Sequence, residues 1–92
     1  MVTVSIIEDD KHYREGLETF INDSDFFQVL HSYPSGEAAL PHLIHHPPEI
    51  AIIDIKLPGK SGIDIVSVIK QQVPDVLCMM CTFYDDNQHI FD

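Results

Sequence analysis

Ile50-Ala51-Ile52-Ile53-Asp54-Ile55-Lys56-Leu57-Pro58-Gly59-Lys60-Ser61-Gly62 is the stretch that decides the fold. Its first four residues are apolar without alternation, the pattern of a strand covered on both faces, as in a parallel sheet. A carboxylate closes the run. Beyond the loop, Ser61-Gly62 opens a segment in which Ile65, Val66 and Ile69 share one helical face. Strand, loop and helix follow in that order.

The same alternation repeats in both directions. Apolar, β-branched runs begin at Val2 (to Ile7), Phe26 (to His31) and Val76 (to Cys81), so strand starts recur about every 25 residues. Between them, Tyr13, Leu17, Phe20 and Ile21 fall on one face of a predicted first helix. Gly36, Leu40, Leu43 and Ile44 mark a second, with Ser35 as N-cap and Glu37 in its first turn. Pro41 conflicts with that second helix, because an interior proline removes a backbone donor; a kink or short break is expected there, with Pro47-Pro48 ending the element. Strands and helices at this spacing imply βαβ units with right-handed crossovers: an α/β fold with one parallel sheet and helices on both faces. No linker, low-complexity tract or second domain interrupts the 92 residues.

Composition narrows the function classes. Apolar residues make up 45% of the chain, as in a globular protein. Fifteen acidic residues against five basic give a net charge of −10, which argues against nucleic-acid binding by this segment. No apolar stretch approaches the ~20 residues needed to span a bilayer, and the N-terminus lacks a basic n-region and cleavage site. Two cysteines are too few for a secreted disulfide scaffold, so a reduced, cytoplasmic protein is expected.

Ligands of parallel α/β sheets bind beyond the carboxyl ends of the strands. Here the first strand ends in Glu8-Asp9-Asp10 and the third in Asp54, while the fourth runs into Thr82, followed by Tyr84, Asp85 and Asp86. Carboxylates converging on one crevice repel unless a cation neutralises them, and hard oxygens suit Mg2+ or Mn2+. An Asp so screened is a competent nucleophile toward phosphorus. Taken singly, each carboxylate reads as a solvated loop residue or a helix cap, Asp10 above all; the joint pattern carries the reading.

Ile6-Ile7-Glu8-Asp9-Asp10, together with Ile52 to Asp64, resembles the two hallmark stretches of response-regulator receiver domains of bacterial two-component systems. Arg14-Glu15-Gly16-Leu17 and Thr82-Phe83-Tyr84-Asp85-Asp86 are most similar to the NarL/FixJ (LuxR-type) class. The resemblance covers essentially the whole chain. It implies a flavodoxin-like doubly wound sheet of order 2-1-3-4-5 and a phosphorylation switch, not an enzyme beyond its own phosphoryl acceptance and autodephosphorylation. Carried over by position, Asp54 is the phosphoacceptor, Asp9 a direct metal ligand and Glu8 a ligand through water. The backbone carbonyl of Lys56 completes the protein ligands, and Thr82 is the switch hydroxyl. The implied partners are a sensor histidine kinase as donor and, through an output domain not present in this chain, DNA.

Two positions depart from the pattern. The family's lysine at the end of a fifth strand has no counterpart among these residues. The receiver domain over 1–92 is thus expected to be C-terminally incomplete, lacking its fifth strand and fifth helix, with the fourth strand an exposed edge that invites dimerisation or swapping. Phe83 stands where many receivers carry a small residue, and it is expected to narrow access to Asp54.

Other signals are weaker. Cys78 and Cys81 match C-x-x-C, but residues three apart in a strand point to opposite faces and cannot share a bond or a metal. His42, His45 and His46 could share a helix face, yet nothing in the sequence supplies further ligands, and exposed histidines are the simpler reading. A haloacid-dehalogenase-type phosphatase needs a second Asp where Lys56 stands. A nucleotide- or flavin-binding domain needs a Gly-rich first turn where Glu8-Asp9-Asp10 would repel phosphate. A receiver-like interaction domain that never accepts phosphate is the alternative that stays open.

Overall fold

The computed structural model describes residues 1–81. They form β1 (Val2–Ile7), α1 (Lys11–Asn22), β2 (Phe27–Tyr33), α2 (Gly36–His45), β3 (Ile50–Asp54), α3 (Gly62–Gln72) and β4 (Leu77–Cys81). All pairings are parallel, in the order β2-β1-β3-β4. That is the flavodoxin-like order expected for the first four strands, and Thr82 and everything after it lie outside the described residues.

Alternate residues of the central strands serve two cores. Ile7, Ala51 and Ile53 pack beneath α2 and α3 with Leu43, Ile65 and Ile69. Val4 and Ile6 face the other way, onto Ile21 and Leu17 of α1. Because β3 is covered on both sides, its apolar run shows no polar alternation. Each helix opens on a side-chain cap: Asp10 accepts from His12 N–H and Tyr13 N–H, Ser35 from Ala38 N–H, and Ser61 from Asp64 N–H.

Three expectations need correction. Phe20 does not join the buried face of α1; it is 77% exposed. That face centres on Leu17 and Ile21, and one residue of helix turns Phe20 about 100° away from Ile21. There, with Phe27 and Met79, it rims an apolar trough of about 270 Å3. The second strand runs Phe27–Tyr33, two residues past the expected His31. It also carries an extra residue: Val4 pairs with Val29 but Ser5 pairs with His31, so Leu30 is bulged out. Finally, α2 continues through Pro41 without a break. Pro41 is exposed, and the carbonyl it leaves unserved, that of Glu37, belongs to an exposed residue of the first turn.

Glycine is required at two places in the β3–α3 connection. Gly59 has φ +75°, a left-handed conformation following Pro58. At Gly62 a Cβ would lie 2.9 Å from Ile55 Cα and from Met80 Cε, and closer still to the Asp54 carbonyl. Helix α3 can start this near the end of β3 only without a side chain.

Candidate functional site

The register of the central pair builds the site. Ile6 pairs with Ile52 and Ile7 with Ile53, so the next residue of each strand, Glu8 and Asp54, emerges side by side at the sheet's carboxyl end. Asp9 follows in the turn before α1. Glu8, Asp9 and Asp54 each offer a carboxylate oxygen, and these oxygens lie within 4.8 Å of one another. Glu8 and Asp54 are only 2% and 6% exposed, whereas Asp9 is open to solvent.

The loop is held from both sides. Glu8 Oε2 accepts from Asp10 N–H at 2.8 Å, and Asp54 Oδ1 accepts from Lys56 N–H at 3.1 Å. The Arg14 guanidinium reaches back from α1 to donate to the Glu8 carbonyl at 2.8 Å, with a longer contact to that of Asp9. Arg14 therefore braces the backbone that carries two of the carboxylates. In the sequence it was legible only as part of a class signature; its place one helical turn after the Asp10 cap is the signal that marks this role.

Glu8 Oε1 is buried and has no hydrogen-bond partner among the described residues. An acceptor in that position is costly unless a proton or a cation stands beside it. Burial raises the Glu8 pKa from 4.5 to about 7; the Asp10 N–H opposes that rise, while the charge of Asp54 and the contacts with Asp9 and Asp54 add to it. A buried, partnerless oxygen beside two more carboxylates is a donor set that fits a hard divalent cation such as Mg2+ or Mn2+.

Of the residues expected to act, the structure thus gathers Glu8, Asp9 and Asp54. Lys56 follows directly in the β3–α3 loop, with its N–H on Asp54. Thr82, with Phe83, Tyr84, Asp85 and Asp86, lies outside the described residues. Asp10 is a helix cap, as the simpler reading had it. Cys78 and Cys81 are free thiols. Cys78 packs against the α2/α3 core, while Cys81 pairs in register with Asp54. Burial first, then the negative charges of Asp54 and Glu8, push the Cys81 thiol up to about 11, so it is not a reactive thiolate. Sequence reasoning missed His31 and Tyr33, which the Leu30 bulge turns toward α2 and brings against His42.

Comparison with known proteins gives a consistent picture. The family described as the response regulator receiver domain matches residues 4–92. Among curated relatives, the chain is 29% identical over 89 residues to the oxygen regulatory protein NreC of Staphylococcus carnosus. It is 32% identical over 91 residues to the transcriptional regulatory protein HptR of Staphylococcus aureus. These alignments take in 96% and 98% of the chain but only 41% and 35% of the two relatives. Among solved structures, the response regulator domain of Thermotoga maritima CheB superposes with a TM-score of 0.83 at 19% identity, covering 98% of this chain and 69% of that one. The signal receiver domain of Mycobacterium tuberculosis NarL gives 0.83 at 22%, covering 98% and 73%. At such identities the structural likeness speaks to the fold. Among the described residues no helix is long and apolar enough to cross a membrane.

Proposed function

We propose, on the premise that this chain belongs to the response-regulator receiver family, that it is a phosphorylation-dependent switch accepting a phosphoryl group on Asp54. The observation that carries the reading is Glu8: its Oε1 is buried without a partner among the described residues, and its carboxylate offers an oxygen within 4.8 Å of Asp9 and Asp54 oxygens. Glu8, Asp9, Asp54 and the Lys56 carbonyl would hold Mg2+ or Mn2+, which when bound offsets the carboxylates' charge and that of an incoming phosphoryl group. Asp54 supplies the nucleophile: one carboxylate oxygen attacks phosphorus in line while the donor's leaving group departs on the far side. The Lys56 N–H on Oδ1 fixes the carboxylate's rotation, which favours attack from a single direction. Arg14 keeps Glu8 and Asp9 in place by holding their carbonyls. Thr82 is the hydroxyl proposed to donate to the phosphoryl oxygen and so report phosphorylation to the surface.

The donor on this reading is a sensor histidine kinase or a small acyl phosphate, and the setting is the cytoplasm. Relatives named as transcriptional regulators, of which this chain spans well under half, support a DNA-binding output domain in the parent protein. Mass spectrometry after treatment with acetyl phosphate and Mg2+ tests the chemistry. The wild-type chain is expected to gain one phosphoryl group and Asp54→Asn none. A folded, metal-bound chain that gains nothing would instead favour a receiver-like interaction domain working without phosphate.

A further inference from the structure

The end of β2 carries part of the acidic centre. Pro34 offers no N–H to a ladder, and the strand stops just before it, at Tyr33. The Tyr33 carbonyl accepts from Glu8 N–H at 3.0 Å, while the Glu8 carbonyl accepts from Arg14 at 2.8 Å. The main chain on either side of the Glu8 side chain is thus held from two directions, by β2 and by α1.

The sheet alone secures that strand end weakly. β2 stands at the edge of the four described strands, and the extra residue at Leu30 interrupts its ladder with β1. Beyond the interruption the pairing is short: His31, Ser32 and Tyr33 lie opposite Ser5, Ile6 and Ile7. Short segments with few partners open locally at low cost. A second hold comes from α2, itself anchored by the buried Ala39, Leu40 and Leu43.

Past the bulge Tyr33 faces that helix, and its ring packs against the core shared by α2 and α3. Its hydroxyl is hydrogen-bonded to His42 Nδ1, with the two rings edge to face and their centroids 5.9 Å apart. Burial, then His31, His46 and His45, hold the His42 pKa below its ordinary range, and burial raises that of Tyr33. Near neutral pH both groups are uncharged, and the bond has a donor and an acceptor in either imidazole tautomer. We propose that Tyr33 and His42 are positioning residues of the acidic centre: by tying the end of β2 to α2 they fix the carbonyl that holds Glu8, and with it the Glu8 carboxylate. The inference rests on the reading of Glu8, Asp9 and Asp54 as a metal centre.

The test is Mn2+ binding to the full 92-residue chain near neutral pH, read by electron paramagnetic resonance. Amide hydrogen exchange, followed by NMR without metal, is measured in parallel. Wild type is expected to bind one Mn2+, displaced by excess Mg2+. Tyr33→Phe keeps the ring and the carbonyl and loses the hydroxyl alone, so it keeps the test sound if His42→Leu disturbs folding. Partners bonded directly to a ligand side chain are worth about 10–100-fold in metal affinity. A hold on the ligand's main chain is one step removed, so Tyr33→Phe and His42→Leu should each weaken Mn2+ binding about 5-fold. Their Glu8 N–H should exchange at least about 10-fold faster, with the amides of β3 unchanged. His42→Asn, which sets an amide where Nδ1 stood, should recover most of the affinity. His45→Gln, at an exposed histidine of the same helix, should bind as wild type. A wild type that binds no Mn2+ would end the metal reading and the positioning role with it. Wild-type affinity in Tyr33→Phe, or exchange that quickens throughout the sheet rather than at Glu8, would overturn the positioning role and leave the metal centre standing.

Discussion

Replacing Glu8 by Gln isolates the electrostatic load of the acidic centre. Folding takes the Glu8 carboxyl out of water and sets it among acceptors, so its pKa rises from 4.5 to about 7. The folded chain therefore retains a proton that the unfolded chain releases. Stability from this group is complete below about pH 4.5, declines as pH rises and is gone above about pH 7. A shift of that size corresponds to a ceiling of roughly 3 kcal/mol. Asp9 opens the cluster to solvent, which screens the charges and brings the expected loss to about 1–2 kcal/mol. Glutamine keeps the shape, accepts from Asp10 N–H and does not ionise. Urea unfolding followed by circular dichroism in EDTA, at steps from about pH 5 to about pH 8, compares the two chains. Glu8→Gln should gain on wild type by about 1–2 kcal/mol across that range, every other titration being common to both. Mg2+ at about 100 times its Kd should restore about 2.7 kcal/mol to wild type at the alkaline end and much less to the variant. A difference between the chains that stays flat across the range would refute the argument.

Gly62→Ala should cost at least about 2 kcal/mol in the same urea assay, since its Cβ meets the backbone of Asp54 and Ile55 rather than a flexible chain end. Phe20→Ser is expected to fall within about 0.5 kcal/mol of wild type, whereas Ile21→Ala, one residue along α1, should lose about 2–4 kcal/mol; equal losses would place Phe20 in the core after all. Cys81 should alkylate far more slowly with iodoacetamide near pH 8 than free glutathione does, because its thiol titrates at about 11. Labelling at the free-thiol rate would mean that burial and the charges of Asp54 and Glu8 do not hold the thiol protonated.

Much of this architecture was open to reading because it rests on local chemistry. Continuous apolar runs announced strands buried on both sides, and serine or aspartate before each amphipathic segment announced where helices begin. The carboxylates could be assigned to one crevice because parallel strands all deliver their last residues to the same end of the sheet. What stayed hidden depended on register and rotation. Nothing near Leu30 marks an extra residue, so the facing of His31 and Tyr33 could not be derived, and the histidines of α2 looked as though they lacked companions. Phe20 fits the apolar spacing of its helix as well as Leu17 does, and only the direction from which the sheet approaches decides between them. Arg14 acts on main-chain carbonyls, so its only mark in the sequence is its place one helical turn after the Asp10 cap.

The insertion in β2 has a consequence for how this strand tolerates change in length. A strand is a parity device: even positions speak to one layer and odd positions to the other, and one surplus residue exchanges the two roles midway. Here the upstream half serves the layer of α1 and the downstream half the layer of α2. Deleting Leu30 would leave the Val4–Val29 and Ser5–His31 pairings adjacent in a regular ladder, so Tyr33 would keep its place opposite Ile7 and its own layer. Drawing Leu30 into the ladder opposite Ser5 at unchanged length would instead set His31 opposite Ile6 and turn it, and Tyr33 after it, toward the layer of α1.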